Sequence, residues 1–214
     1  MTRLLLLLLA VGPAAAQELE FRFIGNDGFE ISDGSSTLLI DFPYHSGAFG
    51  YMAFDPGELT ARDNSLCVFT HRHDDHFDPG AIEGVGCQVA GPPEVLKKVD
   101  ASVRLEDGPS WQFGGAEIDC LDTEHVDVDH CSYVIRWHGR SIFISGDVEE
   151  LSGLYGLEEQ LDIIIISSWL VPHESRIRQR FPDAEIVLAH HVAGEERAIS
   201  SGCVVPKQGS TYAW

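Results

Sequence analysis

Apolar and polar positions alternate from residue 19 onward: Leu19, Phe21 and Phe23 are separated by Glu20 and Arg22, and Phe29 and Ile31 by Glu30. Such a period of two puts one set of side chains on one face of a strand. With the Asp33-Gly34 turn and the apolar run over 37–41 it predicts a β-hairpin. Residues 42–56, rich in Gly and aromatic rings, read as loop, and residues 65–70 as a short buried strand ending at Thr70. Further strands are predicted over 87–90, 102–105, 116–121, 133–137 and 140–145, the last two joined by a His138-Gly139 turn. Pro92 and Pro93 suit the first turn of a helix over 94–99, where a missing N–H costs nothing. Toward the C-terminus the pattern changes. Residues 162–167 and 185–189 are unbroken apolar runs, as expected of strands covered on both faces, with a helix predicted over 174–180 between them. Hairpins, covered strands and intervening helices predict stacked sheets with outer helices.

Composition narrows the class. The 214 residues are 44% hydrophobic and 22% charged, with 21 Gly and 10 Pro, which fits one ordinary globular domain without repeats. Fourteen Lys plus Arg stand against 34 Asp plus Glu, a formal charge of −20. That field repels polyanions and speaks against nucleic acid or an anionic membrane as partner. At the N-terminus, Arg3 precedes an apolar run over 4–11 and the small residues Ala14-Ala15-Ala16. This is the pattern of a secretory signal cleaved before Gln17, leaving 17–214 as a single domain that is secreted or periplasmic. The run is too short to cross a bilayer, so no stable membrane insertion is expected. Five cysteines are too few for a disulfide scaffold and leave at least one unpaired. Cys120 and Cys131, flanking a loop between strand-like runs, are the expected bridge, and Cys67 reads as a buried small hydrophobe.

The strongest chemical signal lies directly behind the strand ending at Thr70, in His71-Arg72-His73-Asp74-Asp75-His76. In an extended segment His71 and His73 project to one side and can hold one cation, while the following turn presents Asp75 and His76 to a second. Two cations held close together need an anionic bridge, and Asp147, at the end of a predicted strand, suits that place. Further imidazoles must come from other strand ends, where the candidates are His125 or His130 and His190 or His191. Any one of these alone is ordinarily a hydrogen-bonded imidazole. The cluster at 71–76 is different, because so many ligand types at that spacing would otherwise be costly crowding.

With Gly25-Asn26-Asp27-Gly28, Leu39-Ile40-Asp41, residues 70–79, Ile144-Ser145-Gly146-Asp147 and Leu188-Ala189-His190, the chain resembles the metallo-β-lactamase-fold hydrolases over almost its whole length. The opening over 21–29 is similar to the compact branch of ascorbate-6-phosphate lactonase-like proteins. The resemblance implies a four-layer αββα sandwich of two mixed β-sheets with outer helices. It also implies a first metal on His71, His73 and His125, a second on Asp75, His76 and His190, and Asp147 between them. His125 is preferred to His130 because it lies eight residues before Tyr133, as in the family, and His190 to His191 because it directly ends the apolar run. Asp147 stands where β-lactam-cleaving relatives with a zinc-binding Cys carry a thiolate, so β-lactamase activity is not favoured.

The chemistry expected of such a site is hydrolysis of an ester, lactone or phosphodiester of a small molecule by a hydroxide held between two divalent metals. Zinc is the first choice, with manganese or iron also compatible with His and Asp ligands. Asp75 is the expected catalytic residue, orienting the nucleophile or taking its proton. Asp41 and Thr70 are candidates to hold the imidazoles from behind. Tyr44, His45, Phe49, Tyr51, Trp169 and His173 are candidates to wall the site, against the alternative that they pack their loops to the core. No GxSxG, GxxxxGK[ST] or helix-opening GxGxxG pattern is present. The competing reading is a secreted metal-binding module that keeps the site without turnover.

Overall fold

A computed structural model describes residues 18–105, 108–199 and 201–214. The signal-peptide reading falls on residues outside these. Two six-stranded mixed sheets stack face to face. The first contains β1 (Glu20–Gly25), β2 (Gly28–Ser32), β3 (Thr37–Ile40), β4 (Ser65–Val68), β5 (Gln88–Ala90) and β12 (Thr211–Ala213), in the order β12-β1-β2-β3-β4-β5. The second contains β6 (Ser110–Phe113), β7 (Ala116–Asp122), β8 (Cys131–Trp137), β9 (Arg140–Ile144), β10 (Ile163–Ser167) and β11 (Glu185–Ala189), in the order β11-β10-β9-β8-β7-β6. Each sheet is antiparallel on one side and parallel on the other: β3, β4 and β5 run parallel in the first, and β9, β10 and β11 in the second.

The layering follows from the alternation within strands. Ile163 and Ile165 face the core between the sheets, with Phe21, Phe23, Leu38, Ile40 and Val68 opposite, whereas Ile164 and Ile166 face outward. That outer face is covered by Leu154 of α3 (Ser152–Tyr155) and Ile177 of α4 (Glu174–Arg180). On the first sheet Leu39, Cys67 and Val89 face outward against α1 (Ile82–Val85) and α2 (Pro93–Leu96). Both β4 and β10 are therefore apolar on both faces, which is why they read as unbroken runs.

The hairpin, both covered strands and α4 form where the pattern puts them. Residues 102–105 do not make a strand: Val89 exchanges hydrogen bonds with Val103 and Leu105, an isolated contact beside β5. The short elements α1, α3, β6 and β12 carry too few residues for a period to show. Cys67 is a buried residue as expected, but it is bonded to Cys87 across the β4–β5 pair, so its reading as a lone hydrophobe is corrected. Cys120 and Cys131 are joined as anticipated, and Cys203 is free.

Candidate metal centre

Parallel strands end together, and that places the polar cluster. Asp41 follows β3 and Thr70-His71 follows β4, while Asp147 follows β9, Ser167 ends β10 and His191 follows β11. Ligands in sheets of this kind gather at the carboxyl ends of parallel strands, where loops diverge and leave room. Here the two parallel halves bring their ends to the same edge. Two bonds tie the sheets together at that edge: Tyr133 Oη donates to the Phe69 carbonyl at 2.6 Å, and the Cys131 amide to the Thr70 carbonyl at 2.9 Å.

Beyond Thr70 the chain makes a tight turn in which the amides of His76 and Phe77 both donate to the His73 carbonyl, at 3.0 and 2.9 Å. It splits the cluster into two groups. His71 Nε2 lies 3.0 Å from His73 Nδ1, which lies 3.3 Å from His125 Nε2. His76 Nε2 lies 3.1 Å from Asp147, 3.5 Å from Asp75 and 3.3 Å from His191 Nε2. Within each group, one ligand atom per residue falls inside 4.8 Å of the others, as one cation requires.

The hydrogen bonds behind the rings decide which nitrogen faces the cluster. Thr70 Oγ1 donates to Asp41 Oδ2 at 2.7 Å, so it can only accept from His71 Nδ1 at 3.0 Å, leaving the lone pair of His71 on Nε2. Asp41 Oδ2 also accepts from His76 Nδ1 at 2.9 Å, and Asp41 Oδ1 accepts the Thr70 amide at 2.7 Å. Asp41 and Thr70 thus do for His76 and His71 what the sequence assigned them, fixing ring orientation and tautomer. Asn26 donates from Nδ2 to the Asp75 carbonyl at 2.9 Å and accepts the Met52 amide, pinning the turn to the β1–β2 connection. His130 is not in either group. Its Nε2 accepts the Asp147 amide at 3.2 Å while its Nδ1 bonds Thr123 Oγ1, and burial pushes its pKa down to about 3, so it stays neutral. Gly146, at φ +60°, lets this happen: a Cβ there would sit 2.6 Å from His130 Nε2.

Electrostatics separate the two groups. Burial lowers the pKa of His71 and of His125, favouring neutral rings. For His76 burial acts the same way, but the carboxylates of Asp147 and Asp41 on its two sides override it and raise the pKa well above that of a free imidazole. Burial opposes charge on Asp147 and on Asp75 too, and the adjoining His76 outweighs it in both, so they remain ionised. Asp27, buried and facing Asp147, is pushed the other way by burial and by that charge, which favours its protonated form. Its Oδ2 lies 2.9 Å from Ser167 Oγ, which lies 2.8 Å from the Gly146 carbonyl.

The residues present fit a metal. Imidazole nitrogens and carboxylate oxygens converge on one another, and one of them, buried Asp147 Oδ1, has no hydrogen-bond partner among the described residues. His71, His73, Asp75, His76, His125 and Asp147 all lie in the cluster; His190 does not. Its Nε2 bonds the Pro206 carbonyl at 2.8 Å and its ring packs 5.0 Å from Phe23, beneath the returning C-terminal segment. His191 takes the place expected of it. Adjacent histidines after one strand could be told apart only by knowing that the chain comes back over the first of them. Of the candidate wall residues, Tyr51 and Trp169 flank His191 at 5.1 and 5.5 Å, whereas Tyr44 is buried against Phe42 and Phe54, and His45 faces Asp78.

This arrangement is the metallo-β-lactamase fold. Similar solved structures include a possible metal-dependent hydrolase from Veillonella parvula (18% identity, 90% of this chain and 98% of that chain, TM-score 0.66). An isothiocyanate hydrolase from Delia radicum gut bacteria is alike over 91% of this chain and 99% of that chain (18% identity, TM-score 0.66). The metallo-beta-lactamase fold protein YhfI from Bacillus subtilis is alike over 92% and 100% (17% identity, TM-score 0.65). In sequence, the chain is 33% identical over 116 residues to a hydroxyacylglutathione hydrolase of Rhodopseudomonas palustris, a match covering 51% of this chain and 43% of that protein. This chain therefore spans less than half the length of that relative. No family model matches it.

Proposed function

We propose that this protein is a dinuclear metal-dependent hydrolase of esters, lactones or phosphodiesters, exported to an oxidising compartment. The observation that carries the reading is the convergence of two separate ligand groups, one of three imidazoles and one of two imidazoles and two carboxylates, at one sheet edge. His71, His73 and His125 would hold one divalent cation, and Asp75, His76 and His191 the other, with Asp147 beside both. Zinc suits the imidazole-rich set. When bound, such a pair supplies an acidified water and polarises the scissile oxygen. The chain does the rest. Asp75, a carboxylate within the cluster, accepts the proton of the attacking water, while Asn26 fixes the backbone that carries it. Asp41 and Thr70 hold the imidazoles so that no ring must reorient during turnover.

Two disulfides, Cys67–Cys87 and Cys120–Cys131, support export together with the leader-like N-terminus, because such bonds persist in oxidising surroundings. N-terminal sequencing of the protein recovered outside the cytoplasm should begin at Gln17. For the activity, elemental analysis of purified protein should find close to two metals per chain, with turnover of simple esters or lactones that a chelator abolishes and added metal restores. Full metal content with no turnover on such a panel would instead favour the non-catalytic binding module.

A further inference from the structure

Two cavities share walls with the candidate centre, and their linings differ in kind. The larger, about 800 Å3, passes His125 and His130 and is walled by Asp122, Glu124, Asp129, Glu149 and Glu150. All five carboxylates are exposed, no Lys or Arg lines the cavity, and Glu149 is close enough to His125 to act on its charge. On a flat surface such a group is merely solvated; in a concave wall the low-dielectric sides focus its field on whatever enters.

The smaller cavity, about 230 Å3, is walled by Tyr51, Trp169, His191 and Val192, together with Ser168 and a single carboxylate, Glu195, which accepts the Ser168 hydroxyl at 2.9 Å. Trp169 stacks on His191 at an interplanar angle of 30°, and Tyr51 lies across the same ring. Phe49, exposed over 70% of its surface, continues this wall beside Tyr51. Four of the five exposed large hydrophobics among the described residues are thus gathered at one place, and grouping of that kind marks a binding surface where scattering would not. His191 supplies a second sign. It is only 5% exposed, walls this cavity, and keeps Nδ1 without a partner among the described residues, a deficit that a ligand can make good.

We propose that the site takes a substrate with a positive charge on one side of the scissile bond and an apolar or aromatic group on the other, of the class of ammonium-bearing esters and lactones, and that it discriminates against anions. The scissile bond rests on the hydrolase reading above; the charge preference is a property of binding and stands apart from it. The five-carboxylate wall attracts the cation and repels a carboxylate, sulfonate or phosphate at the same position. The aromatic wall takes the uncharged end by apolar burial. A glutathione thioester, with two carboxylates against one ammonium, is on this account a poor substrate.

The test combines binding and turnover on the metal-loaded, full-length protein. Calorimetric titration with benzyltrimethylammonium, benzyl alcohol and phenylmethanesulfonate should rank the cation first. Its affinity should exceed that of the sulfonate by at least about tenfold at low salt, the gap narrowing as salt screens it. Among acetate esters, kcat/KM should fall in the order choline, 3,3-dimethylbutyl, 3-sulfopropyl. In the double variant Glu149→Gln/Glu150→Gln, the cation-to-anion ratio should fall several-fold in both assays. A sulfonate that binds or reacts as well as its cationic counterpart overturns the proposal, and so does a ratio that the double variant leaves unchanged. Should the cation preference hold in titration while no ester turns over, the hydrolase reading fails and the charge preference survives.

Discussion

The two ligand groups sit on one turn, yet they are built on different principles. His71, His73 and His125 form an all-imidazole set in which burial keeps His71 and His125 neutral, ready to donate lone pairs. Asp75, His76, Asp147 and His191 form a set in which carboxylates hold a proton on His76 against burial. In the first group His71 and His125 meet a metal with no proton to give up. The second must release a proton, and its His76 bonds directly to a buried carboxylate, Asp41, that touches no metal-facing atom and reaches the first group only through Thr70. Under the dinuclear proposal the site is asymmetric, with Asp75, the proposed proton acceptor, on the side that holds the carboxylates.

Removing His76 gives the largest contrast. His76→Ala should cost more than about 100-fold in turnover, since a lost ligand exceeds the loss from any group behind it. Metal analysis should then show one ion kept by the imidazole group. Loss of both ions would mean the groups are not separable. Asp41→Asn comes next, with a loss of about 10- to 100-fold in affinity at the carboxylate group, where Asp41 bonds His76 directly, and a smaller loss at the imidazole group, which it reaches only through Thr70, read by chelator competition. Equal weakening of both ions would remove the asymmetry.

The adjacent histidines divide in the same manner. His191→Ala should lose metal from the carboxylate group with little change in melting. His190→Ala should keep both metals and instead destabilise the fold by about 1–3 kcal/mol, because the Pro206 carbonyl is left without its donor. A variant at His190 that loses metal while remaining folded would restore the sequence-based choice.

The smallest effect concerns protons. The pKa of His76 is raised, so at neutral pH the metal-free ring holds a proton on the nitrogen facing Asp147, and a cation must displace it. Below that raised pKa, affinity at this group should fall by about tenfold per pH unit, and loading at pH 7 should release about one proton. The lowered pKa values of His71 and His125 predict no release from those two rings at that pH. Calorimetry in buffers of different ionisation heat measures the difference.

Much of this was legible in the chain itself. The period-two alternation over 19–31 specified the hairpin, the unbroken apolar runs at 162–167 and 185–189 specified strands covered on both faces, and the spacing of 71–76 announced a metal-binding turn. These signals are local: each depends on residues close enough in sequence to share a face or a turn. His125 emerged over His130 only through a family spacing, and structure gives the reason, since His130 is occupied with the Asp147 amide.

What local pattern cannot express is which side chains meet when distant strand ends arrive at one edge. The choice between His190 and His191 depended on Pro206, the pairing of Cys67 with Cys87 on the parallel arrangement of β4 with the segment that enters β5, and the tautomers of His71 and His76 on a single carboxylate following β3. Each of these is a contact between segments that the sequence keeps apart. The residue types of the centre were fixed by the chain; their partners, protonation and division into two groups were fixed by packing, because a hydrogen bond or a buried charge takes its energy from whatever neighbour the fold delivers.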